Sequence, residues 1–159
     1  MTPSMTARAG LVAVAPQIDA PAVTEPWRLT EPSVADQSAS ARLALVVDDD
    51  PVVRSLIARI LARKGWSVIE AANGAEAMVA ARALRPNLVV TDYEMPSLSG
   101  LDLARSLRAV DVGLPILMVS GHPNAEAGIL DLPGGRTAFA VKPFGPDELM
   151  ARVEALLGR

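Results

Sequence analysis

Six side chains of this 159-residue sequence stand at the ends of short apolar runs. Asp48, Asp49 and Asp50 follow Leu43 to Val47, and Asp92 follows Leu88 to Thr91. Ser120 follows Pro115 to Val119, and Lys142 follows Phe139 to Val141. Brought together, several carboxylates repel one another and hold their protons more tightly. A hard divalent cation relieves that repulsion through oxygen ligands, and Mg2+ suits two or three carboxylates with several waters kept. Such a metal orients a phosphoryl group and offsets charge in a loose transition state. A carboxylate at the centre can then act as a nucleophile. A lysine across the pocket pairs with phosphoryl oxygens as a point charge, and a serine hydroxyl can donate to them. Lys142 draws notice by rarity, since 13 of the 15 basic residues are Arg and the other lysine is Lys64. Each residue also has a plainer reading. Asp92 alone could be a turn residue before Met95-Pro96, Ser120 a strand end and Lys142 a surface lysine. Asp50 beside Pro51 suits a helix N-cap, which leaves Asp48 and Asp49 for a metal.

Such convergence needs elements that carry distant segments to one edge. From Leu43 onward, short apolar runs alternate with amphipathic stretches five times. Leu43 to Val47 is continuous and β-branched, as a strand buried on both faces requires. Val53, Leu56, Ile57, Ile60 and Leu61 recur at helical spacing, and Gly65 can close that helix. Trp66 to Ile69 is the second strand. Asn73 with Glu76 resembles a capping box for a helix through Leu84. Leu88 to Thr91 is the third strand, Leu101 to Ala109 a helix, Pro115 to Val119 the fourth strand. A weak helix is expected between Asn124 and Leu132, supported only by Ala125, Ala127, Ile129 and Leu130. Gly128 weakens it and Pro133-Gly134-Gly135 stops it. Phe139 to Val141 is the fifth strand, and Pro146 opens a last helix carrying Leu149, Val153, Leu156 and Leu157. Five βα units imply an α/β, doubly wound, mostly parallel sheet with helices on both sides. Ligands of such sheets bind outside the carboxyl ends of the strands, where these six side chains fall.

Residues 1-41 differ in kind. They hold five of the 13 prolines, with many Ala, Ser and Thr, and no apolar periodicity survives. A flexible Pro/Ala-rich extension is expected there, with the folded domain at 42-159. Val12, Val14, Ile18 and Trp27 are its candidates for docking. The apolar stretch from Ala9 to Ala15 after Arg8 is short for a signal-peptide core and ends at Pro16. No run approaches a membrane span, so a cytoplasmic protein with no membrane partner is expected. The net charge of -3 argues against electrostatic nucleic-acid binding, and no DNA partner is expected. The absence of cysteine excludes disulfides and thiolate chemistry, and a lone histidine, His122, excludes a two-histidine site.

The segments LALVVDDDP, LVVTDYEMPSLSGLDL, PILMVSGH and FAVKPF, in this order, resemble the four signature blocks of the response-regulator receiver domain, over about Leu43 to Gly158. The resemblance implies a flavodoxin-like (βα)5 three-layer sandwich with strand order 2-1-3-4-5. It implies that Asp92 is the phosphoacceptor. Asp48 and Asp49 would hold Mg2+ with Asp92 and the backbone carbonyl of Glu94, Asp49 being more direct than Asp48. Lys142 would pair with the phosphoryl group, followed by the family's usual proline, Pro143, often in a cis bond. Ser120 and Phe139 would be the switch hydroxyl and aromatic, and Glu94 and His122 would tune water attack. The face remodelled on phosphorylation would comprise the fourth helix, fifth strand and last helix. A histidine kinase or histidine phosphotransferase would dock at the exposed helix start near Val53 and Arg54.

Two positions depart from the family's commonest pattern. Phe139 stands where Tyr is often found and has no hydroxyl to lock an inward rotamer, so a looser or purely steric switch is expected. The Pro133-Gly134-Gly135 break gives some likeness to receivers of hybrid histidine kinases. The expected function is a phosphoacceptor of a two-component system or phosphorelay that catalyses only its own phosphorylation and dephosphorylation. With no output domain expected, the output would be contact with a downstream protein, or onward transfer. The rivals are a contact module working without phosphorylation and a receiver detached from a hybrid kinase. An aspartyl-phosphate phosphatase is weaker, because the first strand lacks Asp-x-Asp-x-Thr/Ser.

Overall fold

The computed structural model describes residues 29–30, 42–129 and 131–159. Its sheet has six strands: β1 Leu29–Thr30, β2 Leu43–Val47, β3 Ser67–Ala71, β4 Leu88–Asp92, β5 Ile116–Ser120 and β6 Thr137–Val141. They lie in the order β1-β3-β2-β4-β5-β6. The five strands β2 to β6 are parallel, which is the 2-1-3-4-5 order, and β1 adds an antiparallel edge. The helices are α1 Pro51–Arg63, α2 Gly74–Leu84, α3 Gly100–Val110 and α4 Pro146–Leu157. Among the described residues, no helix is long and apolar enough to cross a membrane.

The chain reverses sharply because each helix carries its own start signal. Asp50 Oδ1 accepts from the amides of Val52 (2.8 Å) and Val53 (3.4 Å), with Pro51 in the first turn. Gly65, at φ +84°, follows the end of α1. Asn73 Oδ1 accepts from the Glu76 amide at 2.9 Å, while Glu76 reaches back to the amide of Ala72 rather than Asn73. Ser99 Oγ accepts from the Asp102 amide at 3.1 Å and donates to its carboxylate, which starts α3 one residue earlier than expected.

Successive strand residues point to opposite faces, so the sheet separates two cores. Leu45, Val47, Ile69, Val89, Ile116, Met118 and Phe139 pack with α2 and α3. Val46, Val68, Val90, Leu117, Val119 and Ala140 pack with α1 and α4. β4 and β5 are buried along their whole length, as their continuous apolar runs require.

Two departures from expectation stand out. β1 has no counterpart in the sequence reading, because two residues carry no periodicity; the open edge of β3 supplies the pairing. Otherwise residues 1-41 lie outside the described residues, as do Val12, Val14, Ile18, Trp27 and also Leu130. In place of the fourth helix there is a single 3₁₀ segment, Pro123–Gly128. Ala125, Ile129 and Leu132 anchor this side of the molecule in the core.

Beyond that segment, the buried side chain of Arg108 clamps the chain. Its guanidinium donates to the carbonyls of Val112 (3.2 Å), Pro133 and Arg136 (2.7 Å), and to Thr137 Oγ1 (3.0 Å). Gly134 has φ +98° and packs so closely on the Val112 carbonyl and Arg108 that a Cβ has no room.

Candidate functional site

The carboxyl ends of β2, β4 and β6 bring Asp48, Asp49, Asp92 and Lys142 together. One carboxylate oxygen from each of the three aspartates lies within 4.8 Å of the others. Lys142 Nζ donates to Asp48 Oδ2 and to Asp92 Oδ1, each at 3.0 Å. Asp48 is buried, its other oxygen accepting from the Asp50 amide at 2.9 Å. Asp92 is also buried, whereas Asp49 is exposed at the rim. Asp50 serves as the α1 cap, as expected.

Charge sets the character of this pocket. Burial is the main cause that raises the Asp92 carboxyl above its ordinary pKa; the charges of Asp48 and Asp49 add to it, and Lys142 opposes. Burial also works against the Lys142 charge, but hydrogen bonds and charges of Asp48 and Asp92 outweigh it and raise its pKa. Three carboxylates thus face one ammonium, an all-oxygen donor set with unbalanced negative charge. That set fits a hard divalent cation such as Mg2+.

Backbone contacts hold the site in place. The Lys142 amide donates to the Ser120 carbonyl at 2.7 Å, and the Lys142-Pro143 peptide is cis. Tyr93 N donates to the Val119 carbonyl at 2.8 Å just past Asp92. Ser120 is fully buried at the end of β5, where its Oγ accepts from the His122 amide at 3.0 Å. Phe139 is buried opposite Met118 on the strand next to it. Because Ser120 lies two residues beyond Met118, Ser120 and Phe139 share one face of the sheet. His122 Nε2 and Glu94 Oε1 meet at 3.3 Å, both exposed.

Two supporting residues escaped the sequence reading. Gly100 starts α3 against the backbone of Asp92, where a Cβ would collide with the Asp92 carbonyl oxygen. Its only signal was the Ser99-Gly100 pair at a helix start. Arg54, expected at an exposed docking start, turns inward instead. It donates to the Asp48 carbonyl at 2.8 Å and pairs with Glu70 at 3.3 Å, leaving Val52 and Leu56 as the exposed apolar residues there.

Residues 44–154 match the family model of the response regulator receiver domain. A probable transcriptional regulatory protein, TcrX of Mycobacterium tuberculosis, is 39% identical over 115 residues, covering 72% of this chain and 49% of TcrX. The DNA-binding response regulator MtrA of Mycolicibacterium smegmatis is 40% identical over 115 residues, covering 72% of this chain and 50% of MtrA. This chain therefore spans about half the length of these relatives. The solved structure of the response regulator TrrA of Thermotoga maritima, in complex with Mg2+-BeF, superposes with a TM-score of 0.66. Its identity is 30%, covering 72% of this chain and 98% of TrrA.

These relatives correct the expectation of no DNA partner. MtrA is named DNA-binding and TcrX a transcriptional regulator, which points to a DNA-binding effector. The net charge of -3 concerns only direct attraction between these residues and a phosphate backbone, and is no guide to where the signal goes. The order of strands, the acidic pocket with its lysine, and the match over residues 44–154 agree: this chain belongs to the response regulator receiver domain family.

Proposed function

We propose that this chain accepts a phosphoryl group on Asp92 from a phosphohistidine of a histidine kinase or histidine phosphotransferase. The single observation that carries this function is the Lys142 ammonium bridging Asp48 and Asp92 at 3.0 Å inside a cluster of three carboxylates. Asp48, Asp49, Asp92 and the Glu94 carbonyl would hold Mg2+. When bound, the ion would neutralise charge on the phosphoryl group and orient it.

An Asp92 carboxylate oxygen attacks phosphorus. The new P–O bond forms as the P–N bond to the imidazole breaks, and the imidazole nitrogen leaves with the electron pair. The phosphoryl group then replaces one of the carboxylate contacts of Lys142. Ser120 would exchange its contact with the His122 amide for a donated hydrogen bond to the phosphoryl group. The Phe139 ring, on the same face, follows by packing. The His122-Glu94 pair would tune attack by water and so set how long the phosphoryl group persists. In this reading the chain transforms no separate substrate and acts in the cytoplasm. The names of TcrX and MtrA support a DNA-binding effector as the downstream element that the phosphorylated state controls.

Intact-mass measurement after incubation with acetyl phosphate and Mg2+ tests this. One added phosphoryl group is expected, absent from Asp92→Asn and from a sample with chelator. If the wild type stays unmodified and beryllofluoride also fails to bind, the phosphoacceptor role is overturned and a contact-only module takes its place.

A further inference from the structure

We infer that Arg54 and Glu70 are positioning residues for the acidic pair: Glu70 aims the guanidinium, and the guanidinium fixes the peptide that joins Asp48 to Asp49. This rests on the reading of Asp48 and Asp49 as Mg2+ ligands given above. Both residues act through the backbone of the pocket rather than on the phosphoryl group.

The peptide is where the hold is applied. Arg54 Nη1 donates to the Asp48 carbonyl at 2.8 Å. That carbonyl belongs to the planar unit between Asp48 and Asp49. Turning the plane changes ψ of Asp48 and φ of Asp49 together, and so redirects one carboxylate relative to the other. The rest of Asp48 is held as well. Its amide donates to the Ala71 carbonyl at 3.3 Å, one carboxylate oxygen accepts from the Asp50 amide at 2.9 Å, and the other accepts from Lys142 at 3.0 Å. Asp49 is exposed at the rim, so its aim depends on the peptide behind it.

Glu70 supplies the other half. It lies on β3 opposite Val46 of β2, next to Ala71. Its Oε2 pairs with Arg54 Nε at 3.3 Å, which leaves another nitrogen of the same planar fork pointing at the Asp48 carbonyl. The two side chains are only 17% and 23% exposed, unlike those of a solvated surface pair. β3 thus grips Asp48 twice, directly through the Ala71 carbonyl and, by way of Arg54, through Glu70. The Arg54 amide donates to the Asp50 carbonyl at 3.0 Å, so the same residue also belongs to the first turn of α1.

The sign of the effect separates geometry from charge. A guanidinium close to an acidic pocket repels a cation, so on charge alone its removal tightens Mg2+ binding. Loss of a peptide anchor weakens binding instead, and losing a group that supports metal ligands typically costs about 10- to 100-fold in affinity.

Amide NMR shifts followed through a Mg2+ titration of the full chain give the Kd, and thermal unfolding in EDTA shows whether each variant is folded at the titration temperature. Arg54→Met should raise the Kd about tenfold. Arg59→Met, which removes an exposed arginine from the same helix, should not raise it. Glu70→Gln should raise the Kd in the wild-type background and leave it unchanged beside Arg54→Met, because the carboxylate acts through the guanidinium. Unchanged or tighter binding by Arg54→Met overturns the inference, as does an equal loss in Arg59→Met. A Glu70→Gln effect that is absent from the wild type, or equal in both backgrounds, also overturns it. If Arg54→Met is unfolded, Arg54→Lys reads the same quantity: it keeps the charge but lacks the fork, and a Kd equal to that of the wild type overturns the inference. A wild type that binds no Mg2+ overturns the metal reading and this inference together, whereas variants that bind as tightly as a binding wild type overturn this inference alone.

Discussion

Replacing Asp92 by Asn should stabilise the fold when no divalent cation is present. At an effective dielectric of about 20, the Lys142 ammonium at 3.0 Å favours the Asp92 charge by about 5.5 kcal/mol. Each like charge, no more than 4.8 Å away, opposes it by at least about 3.5 kcal/mol. The opposition from Asp49 is weaker, roughly halved, because that carboxylate is exposed and screened by water. The charge terms nearly cancel, and burial, the largest cause of the raised pKa, decides the sign. The charged form of Asp92 then costs on the order of 1 kcal/mol, and Asn keeps a neutral acceptor for Lys142. In a domain of this size that corresponds to about 4 °C in Tm.

The pH dependence has a definite sign. The folded-state pKa of Asp92 lies above the unfolded value, so folding takes up a proton in the interval between them. The wild type loses stability as pH rises through the folded pKa, and the variant does not lose that share. The gap should be smaller at pH 3 than at pH 7. Urea denaturation with EDTA, at both pH values, measures it. Excess Mg2+ should close or reverse the gap, since a ligand at 100 times its Kd adds about 2.7 kcal/mol to the form that binds it. An Asp92→Asn protein less stable than wild type in EDTA at pH 7 would refute the reasoning, as would a gap of equal size at pH 3.

Gly100→Ala should cost about 2 to 3 kcal/mol and weaken beryllofluoride binding, because the new methyl displaces the Asp92 carbonyl. Gly145→Ala, with open space around it, is the control; equal effects in both would remove the packing explanation. Arg108→Met should cost about 3 kcal/mol in urea denaturation, since the carbonyls of Val112, Pro133 and Arg136 lose a charged donor. Amide exchange should rise between residues 131 and 137, and a loss below about 1 kcal/mol would show that water replaces the guanidinium without penalty.

What could be read ahead of the structure was local or chemically singular. The caps at Asp50 and Asn73 were legible because donor and acceptor are two or three residues apart. Asp92 and Lys142 were legible as polar residues closing apolar runs, and Lys142 further by its rarity. Ser120 and Phe139 needed the receiver resemblance, since neither type is unusual at a strand. The features that escaped are tertiary. Nothing near Gly100 announces the Asp92 carbonyl, and nothing near Leu29 announces the edge of β3. The inward turn of Arg54 depends on Glu70, 16 positions away, in another element. The fourth helix was overestimated because Ala125 and Ile129 do face the core, but from a 3₁₀ turn. The direction of the output is a property of the signalling protein's partners, and the charge of this domain does not carry it.

The clamp at Arg108 has a mechanical consequence. The stretch between Ser120 and Pro133 is a short span pinned at both abutments, by the sheet at one end and by the guanidinium at the other. Ala125, Ile129 and Leu132 are its apolar footings, and so few buried contacts make for a locally soft segment. If Ser120 and the Phe139 ring move as proposed, this span would take up the push, while the guanidinium of Arg108 holds the chain at Pro133. Between the buried Ala125 and Ile129, the stretch Glu126 to Gly128 is where that proposal would have a partner read the acidic pocket on this side.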